Sequence, residues 1–165
     1  MKELSILLII ILAVAALGCL GETSTPTTSP PKLQLDKSKF HFYLYGMATC
    51  PHCQNMKREL PKFFGEDSLT YYELINNEHN TKIFMEFSKE LGVRGVPLIG
   101  VFYDGKLYAI IEGEIDPSKI PEIVKEAMDR EGIIVLSSRA YLIPFNETDI
   151  VQKLTELFLS GQASQ

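Results

Sequence analysis

The stretch that decides the fold is residues 40–64, FHFYLYGMATCPHCQNMKRELPKFF. Phe40 to Tyr45 is aromatic and apolar, the pattern of a strand covered on both faces. Gly46 to Thr49 interrupt that run. Cys50-Pro51 then opens a helix, because Pro at the first helical position has its φ preset and no N–H to leave unpaired. Cys53, Met56, Leu60, Phe63 and Phe64 follow at helical spacing. Pro61 should kink this helix rather than end it.

Downstream, Leu69 to Ile75 (LTYYELI) reads as a second strand. Residues 78–91 read as a second helix, with Ile83, Phe84, Phe87 and Leu91 on one side and Gly92 at its end. Pro97 to Tyr103, Asp104-Gly105 and Lys106 to Glu112 form a hairpin signature, since Asp-Gly suits the tight turn between two apolar runs. Asp116 caps a further helix that has Pro117 in its first turn and reaches about Arg130. The order β-α-β-α-β-β-α predicts an α/β domain, a mixed four-stranded sheet with helices on both faces. A C-terminal extension from about 133 adds a short strand at Ile133 to Leu136. It also adds an amphipathic helix over 147–159, with Ile150, Val151, Leu154, Leu157 and Phe158 on one face. Nothing in the pattern says where that helix docks. Asn146-Glu147-Thr148 matches a glycosylation sequon; the preferred reading is that Asn146 or Thr148 caps the final helix.

Upstream, residues 4–20 carry no charge and follow Lys2, as a signal peptide over 1–18 would. Ala16-Leu17-Gly18-Cys19 resembles a prokaryotic lipobox, which implies cleavage before Cys19 and lipid on it. The alternative is an uncut signal anchor; both place the domain outside the cytoplasm, at the membrane. Residues 21–32, GETSTPTTSPPK, cannot bury enough apolar area to order themselves, and their prolines favour an extended spacer. Residues 19–38 thus read as a lipid-anchored stalk and 39–165 as the folded domain.

Hydrophobic content is 45% of the 165 residues, enough for a core. Net charge is −5, and losing residues 1–18 removes one Lys and one Glu and leaves it unchanged. No run of Lys and Arg is present, so nucleic acid is not an expected partner.

The chemistry rests on Cys50-Pro51-His52-Cys53. Disulfide exchange needs one exposed thiolate and one nearby thiol that resolves the mixed disulfide. Cys50 sits at the helix start, where unpaired N–H groups and the macrodipole favour negative charge. Cys53 lies one turn inside. His52 can hold positive charge close to the Cys50 thiolate. Two other readings compete. A structural zinc site needs four ligands, and no second cysteine pair exists; His41 and His79 would complete one only by accident. A purely structural disulfide is the other. The βαβ setting favours a redox pair.

Residues 40–112 resemble the thioredoxin superfamily: strand, C-x-x-C helix, strand, helix, then Val96-Pro97 opening a strand. The resemblance implies that Pro97 is cis and faces the cysteine pair, and that Val96 offers backbone groups to a bound substrate chain. Cys-Pro-His-Cys with Val before the proline resembles the DsbA-type disulfide oxidases, without room for their helical insertion. The single strand before the pair resembles glutaredoxins, although Val96 and Gly113-Glu114 depart from their glutathione-binding pattern. Leu44 stands where many thioredoxins carry a buried acid. The implied activity is thiol–disulfide exchange on cysteines of exported proteins, with an unidentified redox partner and no cofactor or metal. His52 would stabilise the reduced form, so oxidase or isomerase is favoured over reductase. The alternative is a redox-inert or peptide- or metal-binding surface lipoprotein on the same scaffold.

Overall fold

The structure is a computed structural model that describes residues 34–164. The expected signal peptide, Cys19 and residues 19–33 of the expected stalk lie outside the described residues. Leu35 packs against the core, and the Asp36 carboxylate accepts the Ser38 N–H at 3.0 Å to cap a short 3-10 turn, Lys37–Lys39.

Six strands make one sheet: β1 (Phe40–Gly46), β2 (Leu69–Glu73), β3 (Leu98–Tyr103), β4 (Lys106–Glu112), β5 (Gly132–Leu136) and β6 (Ala140–Pro144), in the order β2-β1-β3-β4-β5-β6. β1 runs parallel to β2 and antiparallel to β3, and β3 is antiparallel to β4. The expected extension carries the sheet further: β5 pairs parallel with β4, and β6 antiparallel with β5. Sequence reading did not foresee β6. Its turn is made of Ser137 to Arg139, joined by a Ser137 N–H to Arg139 C=O bond of 3.2 Å, and carries no Asn-Gly or Asp-Gly signal.

Among the described residues, four α-helices cover the sheet: α1 (Pro51–Phe64), α2 (Glu78–Leu91), α3 (Ile120–Asp129) and α4 (Thr148–Leu159). Side chains of β1 alternate between faces. Phe40, Phe42 and Leu44 meet Met56, Leu60 and Phe64 of α1 and Ile120 and Val124 of α3. Tyr45 points the other way, to Phe87 of α2 and Phe158 of α4. The expectation of helices on both faces therefore holds. Asp116 caps a 3-10 turn, Pro117–Lys119, that leads into α3.

The docking of α4 becomes visible only here. The Phe158 ring lies over Gly100 of β3 so closely that a Cβ there would sit 2.8 Å from its carbons. Tyr45 and Tyr72 donate their hydroxyls to the Leu157 and Phe158 carbonyls, at 2.8 and 2.9 Å. Buried Asn80 then holds the tail, accepting the Gln162 N–H at 2.8 Å and donating to the Gln162 carbonyl at 3.0 Å and the Glu73 carbonyl at 2.9 Å. The Ser164 N–H reaches the Tyr71 carbonyl, and the Ser164 hydroxyl accepts the Glu73 N–H, both at 3.0 Å. The tail thus lies along the outer edge of β2. The expected cap of α4 is corrected: Glu147 occupies that position with no side-chain hydrogen bond, so neither Asn146 nor Thr148 caps the helix.

Candidate active site

Cys50 is the N-cap of α1, with extended backbone (φ −90°, ψ 116°) and Pro51 directly after it. Its Sγ accepts the Cys53 N–H at 3.2 Å, one of the helix-start donors that have no partner within the helix. A bond from the Cys50 N–H to the Met47 carbonyl, 3.0 Å, closes the preceding turn. Both cysteines are free thiols; Cys50 is half-buried and Cys53 is fully buried. Burial, then the neighbouring Cys50 sulfur, holds the Cys53 thiol well above the ordinary thiol range, although backbone hydrogen bonding at Met47 works against this. One sulfur is thus placed to meet a partner and the other to stay protonated until needed.

The Val96-Pro97 peptide bond is cis, as the resemblance implied. Val96 is half-buried, Pro97 is buried, and the Cys50 thiol points at the Val96 carbonyl, 3.8 Å away. Glu112 shapes this loop: its Oε1 accepts the Arg94 N–H at 2.8 Å and the Gly95 N–H at 2.5 Å. From the far side, the Gly113 N–H donates to the Pro97 carbonyl at 2.7 Å. Cys50 and the Val96-Pro97 pair, far apart in the sequence, are thus brought together at the start of α1.

His52 is exposed, and its Nδ1 lies 2.6 Å from Glu114 Oε2. Asn55 donates to the other Glu114 oxygen, and Arg58 donates to Asn55. The hydrogen bond from His52, then that from Asn55, draws the Glu114 carboxyl below its usual range. His52 therefore has a carboxylate partner that sequence reading did not assign to it.

Two further residues beside the pair escaped sequence reading. Tyr71 and Glu73 of β2 share one face, and the parallel register sets them opposite Leu44 and Gly46. A Cβ on Gly46 would lie 3.0 Å from the Tyr71 hydroxyl and 3.1 Å from Cys53 Cβ, so the phenol and the Cys53 side chain border one small gap. Period-two alternation in LTYYELI was the available signal, once β2 is placed beside β1. His41 pairs with Thr70 at 2.8 Å and His79 with the Ser160 carbonyl at 2.8 Å. Among the described residues, no three His, Cys, Asp or Glu side chains gather as metal ligands, and no helix is long and apolar enough to cross a membrane.

No protein-family model and no curated protein matches the chain. Solved structures do. It is similar to a mutant thioredoxin from Halobacterium salinarum NRC-1, with 16% identity over 56% of this chain and 77% of that one, TM-score 0.39. It is similar to chloroplastic thioredoxin z, with 17% identity over 56% and 80%, TM-score 0.39. It is similar to the thioredoxin of Malassezia sympodialis, with 18% identity over 55% and 76%, TM-score 0.34. The strand order β2-β1-β3-β4, the directions of those strands and a C-x-x-C helix leaving β1 give the chain a thioredoxin-like fold.

Proposed function

We propose that this chain is a thiol–disulfide oxidoreductase acting on cysteines of exported proteins. The observation that carries the reading is the asymmetry of the pair: Cys50 half-buried at a helix N-cap beside the Val96 carbonyl, Cys53 fully buried one turn inside. The Cys50 thiolate attacks a substrate disulfide and forms a mixed disulfide. Cys53 then attacks Cys50 Sγ, the substrate sulfur leaves as thiolate, and the Cys50–Cys53 disulfide remains. The same steps in reverse oxidise a substrate dithiol. Val96 and Pro97 form the rim against which the substrate chain lies. Pro51 fixes the start of α1, and His52 adds positive charge at that rim. Its pairing with Glu114 tempers the case for an oxidase or isomerase, because the carboxylate offsets the charge that would stabilise the thiolate.

The decisive experiment combines trapping with a potential. Cys50→Ser should abolish exchange with a model disulfide, whereas Cys53→Ser should accumulate mixed disulfides, and the wild-type couple should equilibrate with a glutathione buffer. Normal turnover by both single mutants would reject this site.

The N-terminal sequence supports a location outside the cytoplasm, with lipid on Cys19 tethering the chain to a membrane and an extracytoplasmic redox partner renewing the pair. Mass spectrometry of the mature N-terminus should find an acylated Cys19; an unmodified, retained N-terminus would instead leave the signal segment as the anchor.

A further inference from the structure

We propose that Tyr71 and Glu73 form the proton outlet of Cys53, the phenol passing the thiol proton to the carboxylate. The inference rests on the exchange reading above and adds the step that reading lacks. A buried thiol must lose its proton before it can attack, and water does not reach Cys53. The Tyr71 hydroxyl and the Cys53 β-carbon both border the gap at Gly46, 3.0 and 3.1 Å from where a Cβ would stand, with no side chain on Gly46 to separate them. Both sulfurs lie within electrostatic range of the Tyr71 phenol. Burial, then the Glu73 carboxylate, keeps the phenol neutral, so it relays a proton by accepting one and releasing its own, without ionising.

The second half of the path is held in place. Glu73 Oε1 accepts the Ala48 N–H at 3.2 Å and the Ile75 N–H at 2.9 Å, which leaves Oε2 facing the Tyr71 hydroxyl at 3.5 Å. That separation is at the outer limit for a hydrogen bond, and catalytic contacts often tighten only when the reaction complex forms. Ala48 and Ile75 are exposed, so the carboxylate lies at the boundary with solvent, where it can release what it takes up. The tail bonds from Ser164 to Tyr71 and Glu73 steady the backbone of β2 at these two residues. The titratable and charged groups facing the phenol are Cys50 at the cap of α1, Cys53 within α1, Glu73 from β2, and Lys57 of α1, whose ammonium lies 4.4 Å from the ring centre.

The step balances. In the mixed disulfide, the Cys53 proton passes to Tyr71 Oη as the Tyr71 proton passes to Glu73. The Cys53 sulfur bonds Cys50 Sγ, and the bond from Cys50 to the substrate sulfur breaks with its electron pair on the substrate. In the oxidising direction, Cys53 leaves as thiolate and recovers a proton from Glu73 by the same route.

The test uses the purified chain with Cys19→Ser, so that only the pair reacts. Cys50 is loaded with thionitrobenzoate, and release of the coloured thiolate times the attack by Cys53. Tyr71→Phe and Glu73→Gln should each slow release by about tenfold to a hundredfold near neutral pH. The deficit should shrink as pH rises and hydroxide takes over. Glu73→Asp should restore most of the rate, and alkylation of Cys50 should stay at the wild-type rate in all three. Wild-type release in both Tyr71→Phe and Glu73→Gln, or an equal deficit at every pH, would overturn the relay. Failure of the wild-type adduct to release any chromophore would overturn the exchange reading itself, a result distinct from the other two.

Discussion

The solvent flank and the sheet flank of the Cys50–Cys53 pair are built from opposite materials. On the solvent side stand long polar side chains, His52, Asn55, Arg58 and Glu114, linked to one another at the surface. On the sheet side stand Leu44, Gly46 and Tyr71, with Glu73 behind them. Water screens the first group, and its side chains surrender conformational freedom to hold one geometry, so each of its contacts contributes little. The second group is packed so that one added methyl has no place. The outer flank is thus a screened polar network around His52, and the inner flank a close-packed wall against Cys53.

The sharpest way to break this contrast is Gly46→Ala. The new Cβ would lie 2.9 Å from Leu44 Cδ2 and about as close to the Tyr71 hydroxyl and Cys53 Cβ. Crowding of that kind costs about 1–3 kcal/mol. Urea unfolding should show that loss, read from the midpoint at unchanged slope. A midpoint equal to wild type would mean the inner flank yields as readily as the outer one.

A smaller effect is expected on the outer flank, and its sign carries the information. His52→Gly removes a cation near the Cys50 thiolate, so the reduced form loses stabilisation and the couple becomes more reducing. Because Glu114 already offsets that cation, the shift should stay within about 30 mV. Glu114→Gln leaves His52 unopposed and should move the potential the other way. Equilibration against glutathione buffers measures both. Shifts of the same sign would show that the ion pair does not set the charge felt by Cys50.

Most of the stretch 40–112 could be read from its sequence because local signals agree there. Pro51 and the Met56, Leu60, Phe64 spacing gave α1 its bounds, Gly92 marked the end of α2, and Asp104-Gly105 marked the turn between β3 and β4. The remainder depended on contacts between distant residues. No local pattern says that Phe158 must lie on Gly100, or that Tyr45 and Tyr72 will hold the end of α4. β6 was missed because its turn is polar without glycine and its run ends in Pro144. The site divides in the same way. Cys50, Cys53 and Pro97 sit in motifs, whereas Tyr71 and Glu73 join them only because β2 lies parallel to β1 in one register. The Glu114 partner of His52 arrives from 62 residues away.

The tail along β2 has a consequence for self-association. The end strand of a sheet offers unpaired backbone groups to any passing chain, which makes it a seed for aggregation. At β2, the Tyr71 carbonyl, the Glu73 N–H and the Glu73 carbonyl are already taken by Ser164 and Asn80. A foreign strand would have to strip off residues 162–164 before it could add there. At the other end of the order lies β6, a five-residue strand that closes with Pro144, which has no N–H to lend. Strand-by-strand growth of the sheet is thus opposed at one end by occupancy and at the other by shortness.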